Sequence, residues 1–231
     1  MYSLAEWIPV SKIVIRLLAF GMYLASSVTM KGQSGPPKIS IEIDDKCLGV
    51  IRNSPDGHWV GTGFIADDPN TVITARHVAI DGTTKRKRDL TYSPPFTTDS
   101  DLMRGVLGTR KLILMRDDPA TDIAVLRLDG KSPCERPFKR SSTTANKGEF
   151  VFYTGLNTAR HGLMVSIAQI RNIKFENLTG YMQIEGDARP GYSGGPVLDQ
   201  SGAVAGVILK GEPMPSGNWM FDAIVISSVP K

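Results

Sequence analysis

The 231-residue chain carries a net charge of +4, with 41% hydrophobic and 22% charged residues. That balance excludes a disordered chain, and so small a charge gives no ground for nucleic-acid binding. Two cysteines, Cys47 and Cys134, allow at most one internal disulfide; an exported protein would form it, and two buried free thiols are the equal alternative.

Residues 1–36 differ from the rest. Lys12 and Arg16 precede or interrupt an apolar run, Ile13-Val14-Ile15 and then Leu17 to Ala25, and Ser26-Ser27 follow. A basic start, a short apolar core and small residues near a cleavage point predict a signal peptide, and hence export to the periplasm or beyond. The run is too short and too charged for a transmembrane helix. The alternative is an amphipathic helix on the rest of the protein or on a membrane surface, giving an anchor or a transient membrane contact. Lys31 to Lys38, with Gly32, Gly35, Pro36 and Pro37, reads as a linker into one domain over 39–231.

From Ile39 the pattern turns to short β segments. Cys47 to Ile51, Trp59 to Ala66 and Thr71 to Ala75 read as strands, with turns at Asn53 to Gly57 and Asp67 to Asn70. Residues 81–105 read as a long polar loop carrying the basic run Lys85-Arg86-Lys87-Arg88, whose sharper reading is a substrate or surface contact. Lys111 to Met115 and Ile123 to Leu128 complete a first set of strands, and the polar stretch Lys131 to Lys147 connects to a second. That second set comprises Phe150 to Tyr153, Leu163 to Ile170, Tyr181 to Glu185, the apolar Pro196-Val197-Leu198, Ala203 to Leu209 and Trp219 to Ile226, with a hairpin turn at Asp199 to Gly202. Many short strands without a helical period predict an all-β fold. There is no paired-histidine motif and no phosphate-binding loop, and two distant cysteines do not make a zinc site, so no metal or cofactor is expected.

Three stretches carry chemistry. Gly191-Tyr192-Ser193-Gly194-Gly195-Pro196-Val197 sets a serine among glycines, a loop able to aim backbone N–H groups at one point; alone it also reads as a surface turn. His77 ends Thr71 to His77, and alone it also reads as an ordinary half-buried histidine. Asp122 opens Asp122-Ile123-Ala124-Val125-Leu126, whereas Asp117 and Asp118 fall in what reads as an exposed turn and Asp129 in another. His58 and His161 lie in polar, glycine-rich surroundings and read as surface residues.

Taken in order, Gly61-Thr62-Gly63-Phe64-Ile65, Thr74-Ala75-Arg76-His77-Val78, Asp122-Ile123-Ala124-Val125-Leu126 and Gly191 to Val197 resemble the trypsin-like (chymotrypsin-fold) serine peptidases, most closely the compact bacterial HtrA-like branch. The resemblance implies two six-stranded antiparallel β-barrels, about 39–135 and 146–228, with the active site in the cleft between them and no appended PDZ domain. It implies a serine endopeptidase acting on polypeptides through an acyl-enzyme, with His77 as base, a buried Asp122 as its orienter, Ser193 as nucleophile and the N–H groups of Gly191 and Ser193 as oxyanion hole. Asp187, six residues before the serine, falls where trypsins place the acid of the primary pocket, and Lys210-Gly211 where the substrate-pairing edge strand would run. Tyr192 replaces the aspartate that pairs with a new N-terminus in trypsins, so activation by zymogen cleavage is not expected. The reading from another class is a catalytically inactive trypsin-like scaffold that binds peptides or a partner protein. Self-association stays open.

Overall fold

The computed structural model describes residues 13–17, 39–54, 58–94, 109–143, 145–157, 162–177 and 179–229. Strand β1 (Ile13–Leu17) pairs antiparallel with β2 (Ile39–Ile43), apart from the barrels. The rest of residues 1–36, where the signal peptide or surface helix is expected, lies outside the described residues, as do 55–57, 95–105 and His161. Among the described residues no helix is long and apolar enough to cross a membrane.

Six strands close the first barrel: β3 (Leu48–Asn53), β4 (Trp59–Ile65), β5 (Thr71–Ala75), β6 (Leu90–Ser93), β7 (Arg110–Asp118) and β8 (Ile123–Leu128), in the order β3-β4-β5-β8-β7-β6. Closure leaves no exposed edge and buries the alternating Val, Ile and Leu of each strand on one interior. The stretch 81–105, expected as loop throughout, contains β6. Its four residues, Leu-Thr-Tyr-Ser, gain strand character from pairing with β3 (Val50 opposite Ser93) and β7 (Leu90 opposite Leu112), and without it this barrel would not close.

The second barrel is β9 (Phe150–Asn157), β10 (Gly162–Glu176), β11 (Thr179–Gly186), β12 (Pro196–Leu198), β13 (Val204–Pro213) and β14 (Trp219–Val225), in the order β10-β11-β14-β13-β12-β9. Here β10 overruns its expected end by six residues, because Asn172 to Glu176 pair with β11 in a protruding hairpin.

Two features fix how the barrels meet. The core cluster of barrel one continues into Phe152, Leu198, Val207, Leu209 and Ile224 of barrel two, so the two share packing. The connection between them is stitched to both sides by isolated bridges, Ala66 to Phe138 and Arg140 to Val204, while the Arg140 guanidinium donates to Asp67 at 2.8 Å and to the Val229 carbonyl. Cys47 and Cys134 form a disulfide across 87 residues of sequence, tying the start of barrel one to this connection. Asp44 lies beside them, yet bonded sulfurs are not the thiolates a metal would need.

Candidate active site

Sheet register builds one half of the site. Because β5 and β8 run antiparallel with Ala75 opposite Ile123, the residues just beyond that pair, Arg76 and Asp122, are neighbours. The four-residue helix α1 (Arg76–Ala79) starts there and carries His77. The Arg76 N–H donates to the Asp122 carbonyl at 2.6 Å, and the His77 N–H donates to Asp122 Oδ1 at 3.1 Å. Asp122 Oδ2 lies 2.7 Å from His77 Nδ1. Asp122 adopts a left-handed backbone (φ 55°), which Asp and Asn tolerate better than most residues, and that turn aims its carboxylate back at the helix.

The acidic neighbours are placed differently from expectation. Asp122 is half-buried, with 35% of its side chain exposed, where a fully buried carboxylate is expected. Asp117 does not sit in an exposed turn: it lies within β7, one residue before its end, and pairs with Arg76 Nε at 2.6 Å, holding the residue next to His77. Asp118 ends the same strand and accepts from the Ala120 N–H at 2.9 Å and the Thr121 hydroxyl at 2.8 Å. Although desolvation pushes the Asp118 carboxyl up, these hydrogen bonds outweigh it and hold the group below its ordinary range. Asp129 is exposed, as expected.

The other half is the loop before β12. Gly191 (φ 104°) and Gly194 (φ 85°) take left-handed conformations that curl the chain around Ser193, and a Cβ on Gly194 would stand 2.1 Å from Thr74 Oγ1 and 2.2 Å from the Thr62 carbonyl. The curl is held by Gly195 N–H to the Tyr192 carbonyl at 2.8 Å and Gly194 N–H to the Ile208 carbonyl at 2.7 Å. Among the described residues, the N–H groups of Gly191 and Ser193 have no acceptor. The Ser193 hydroxyl donates to the Leu209 carbonyl at 2.9 Å rather than to His77.

Tyr192 leaves the loop open by turning inward. It is 2% exposed and packs against Tyr153, ring centroids 6.1 Å apart, over Gly155. A Cβ at Gly155 would lie 2.8 Å from Tyr192 Cα, so only glycine makes room for it. The bulky residue beside the serine is thus part of barrel two's core.

The expected specificity residues fare unequally. Asp187 Oδ1 accepts from Arg189 Nε at 2.6 Å and both side chains are about half exposed, so its charge is matched rather than offered to a basic side chain. The hydrogen bond and charge of Asp187 push the Arg189 guanidinium up in turn. The Asp187 N–H donates to the Tyr153 hydroxyl at 2.7 Å; burial pushes that phenol up and keeps it protonated. Lys210 and Gly211 lie on β13 opposite Asp222 and Phe221 of β14. On the other side β12 reaches only Val204 to Val207, so among the described residues no strand covers the edge from Leu209 onward.

Thr62 is the functional residue that sequence reasoning missed. Fully buried in barrel one, it donates its hydroxyl to the Gly191 carbonyl at 2.5 Å, accepts there from the Leu156 N–H at 3.1 Å, and donates its N–H to the Ser193 carbonyl at 2.8 Å. Thr74, also buried, braces it by donating to its carbonyl at 2.7 Å. The Gly-Thr-Gly motif was visible in the sequence, but its partner lies 129 residues away.

A double barrel that sets a histidine–aspartate pair of one half against a serine in a glycine loop of the other has the chymotrypsin-fold architecture. The chain belongs to the trypsin-like peptidase domain family, whose model matches residues 61–207. It is 28% identical over 196 residues to a DegP-like periplasmic serine endoprotease of Pseudomonas fluorescens, covering 80% of this chain and 37% of that protein. It is 25% identical over 182 residues to the Do-like 14 protease of Arabidopsis thaliana, covering 75% of this chain and 39% of that protein. The chain therefore spans well under half the length of the curated relatives it matches. Among solved structures, the active form of the Rv3671c protease of M. tuberculosis superposes with a TM-score of 0.62 at 18% identity, covering 87% of this chain and 91% of that one, which is a likeness of fold.

Proposed function

We propose that this chain is an exported serine endopeptidase that hydrolyses polypeptides through an acyl-enzyme. The observation that carries the reading is the His77–Asp122 pair: two hydrogen bonds, at 2.7 and 3.1 Å, fix both the ring and the backbone of the histidine to one carboxylate. A carboxylate on Nδ1 keeps the proton there and leaves Nε2 free to accept. In the first half-reaction the Ser193 oxygen attacks the scissile carbonyl and its proton passes to His77 Nε2. The carbonyl oxygen, now an alkoxide, takes the free N–H groups of Gly191 and Ser193, each such donor being worth on the order of 100- to 1000-fold in rate. His77 then gives its proton to the departing amine. Water repeats the sequence on the acyl-enzyme, with His77 again as base. The uncovered edge of β13 at Leu209, Lys210 and Gly211 would pair with an extended substrate on the acyl side.

One observation favours a second reading, an inactive peptide-binding scaffold: the Ser193 hydroxyl is engaged by the Leu209 carbonyl. A single hydrogen bond of that kind is worth about 1 kcal/mol net, against the roughly 8 kcal/mol or more that catalysis supplies, so a rotation about one bond is enough to release it. Digestion of a peptide mixture by wild type and by Ser193→Ala tests the proposal. Cleavage present in the first and absent in the second is expected, and equal behaviour of the two favours the scaffold.

A further inference from the structure

The loop that follows the histidine helix holds charge for which hydrolysis itself has no use. Residues 76–89 contain five cations, Arg76, Lys85, Arg86, Lys87 and Arg88, against two acids, Asp81 and Asp89. Both acids are engaged within the fold. Asp81 Oδ1 accepts from the N–H groups of Thr83 and Thr84 at 3.0 and 2.7 Å and from the Thr84 hydroxyl at 3.0 Å, while Oδ2 pairs with Arg88 at 3.3 Å. Asp89 pairs with Lys111 at 3.7 Å, and Arg76 is matched by Asp117. Among the described residues, Lys85, Arg86 and Lys87 make no ion pair, and all three are exposed.

These three cations sit on a fixed turn. The Asp81 N–H donates to the Arg86 carbonyl at 2.9 Å and the Lys85 N–H to the Asp81 carbonyl at 2.9 Å. The Arg88 N–H donates to the Ala79 carbonyl at 3.0 Å, and Ile80 and Lys87 form a β-bridge, so the turn is seated on the end of α1, two residues beyond His77. Lys85 itself holds a left-handed backbone (φ 58°), a position where glycine or asparagine is less strained.

Direction along the cleft follows from the chemistry. The imidazole returns its proton to the departing amine, so the chain after the scissile bond lies on the His77 side. The acyl side lies along β13, whose Leu209 carbonyl holds the Ser193 hydroxyl. The turn is joined to α1 through Ala79 and Ile80, on the same side as His77. We propose that Lys85, Arg86 and Lys87 form a cationic rim that selects polypeptides with Asp or Glu in the first few positions after the scissile bond. The selection rests on the hydrolytic reading above and names its substrate class.

An exposed opposite-charge pair is worth about 1.5- to fivefold in binding, so three together give about tenfold. A library of peptides randomised on both sides of a central bond is digested by the full chain, and the cut sites are read by mass spectrometry. In wild type at low salt, Asp and Glu are expected to exceed Asn and Gln by about 1.5- to fivefold at each of the three positions after the cut, and by about tenfold in peptides acidic at all three. The excess is expected to vanish in Lys85→Ser/Arg86→Ser/Lys87→Ser, and also in wild type at about 0.5 M salt, where the Debye length is on the order of 4 Å. Lys85→Glu/Lys87→Glu is expected to turn the preference toward Lys and Arg. An acidic preference that is absent from a cleaving wild type, or that survives in the triple variant, overturns the rim and leaves hydrolysis standing. Absence of any Ser193-dependent cleavage overturns hydrolysis, and the selection falls with it.

Discussion

The two barrels contribute to the cleft in different ways. Barrel one makes its half from adjacent structure: α1 continues β5, Asp122 introduces β8, and those two strands are hydrogen-bonded neighbours. Its fold is also cross-linked, through Cys47 and Cys134. Barrel two makes its half from a loop, and that loop is only partly its own. Backbone bonds to Ile208 curl it from one side, while Thr62 of barrel one holds the carbonyls of Gly191 and Ser193 from the other. The histidine–aspartate pair is thus self-contained, whereas the serine loop is a joint product of both barrels. Loosening the contact between barrels should affect the serine before it affects the pair.

The harshest way to break this contrast is to attack the self-contained half. Asp122→Asn is expected to cut turnover by about 10⁴-fold by favouring the wrong imidazole tautomer. Asparagine accepts the left-handed backbone at this position as readily as aspartate, so melting curves should show an intact fold. Next comes the cross-link. Replacing both Cys47 and Cys134 by Ala releases a loop of 87 residues and should cost about 3–5 kcal/mol, lowering the melting temperature by about 10 °C or more. Hydrogen exchange should show the loss concentrated in barrel one.

Thr62→Val sharpens the comparison most. It removes the hydroxyl that Gly191 O and Leu156 N–H share, leaving buried groups unpaired at about 1–3 kcal/mol each. Turnover is expected to fall about 10- to 100-fold, while the low-field proton resonance of the His77–Asp122 hydrogen bond stays in place. Asp118→Asn and Asp129→Asn should change turnover by less than about threefold, since neither carboxylate touches His77: Asp118 is bonded to Ala120 and Thr121, and the exposed Asp129 is screened by solvent.

The smallest effect is on acid stability, and it divides between the barrels. Burial pushes Asp199 of barrel two up, but hydrogen bonds from Ser141, Ser201 and Ala203 outweigh it and hold the group low, as Thr121 and Ala120 do for Asp118 in barrel one. A carboxyl depressed in the folded state stabilises above its unfolded pKa, near 3.8, and loses that contribution as pH falls through the folded value. Melting temperature should therefore drop below about pH 4, and Asp118→Asn/Asp199→Asn should flatten that drop.

Most of this architecture was legible because strand and turn signals are local. All six strands of barrel two and five of barrel one can be read from apolar runs between Gly, Pro and Asp. The sixth, β6, could not, since Leu90 to Ser93 owes its strand to partners about 20 to 40 residues away. The site was legible as motifs and illegible as contacts. Nothing near Tyr192 in sequence reveals that Gly155 makes room for it, whereas the neutralisation of Asp187 was legible, since Arg189 lies only two residues on. Asp117 read as a turn acid because its partner, Arg76, lies 41 residues earlier, and the strut made by Thr62 spans more than half the chain.

The central claim is that Ser193 is a nucleophile armed by a histidine that Asp122 orients. Its most direct measurement is reaction with a fluorophosphonate probe, the modified residue being identified by mass spectrometry in wild type, Ser193→Ala and His77→Ala. The account predicts a single phosphonylated residue, Ser193, with labelling abolished by Ser193→Ala and nearly so by His77→Ala. A folded wild type that takes no label, or one whose labelling is indifferent to His77, would contradict it.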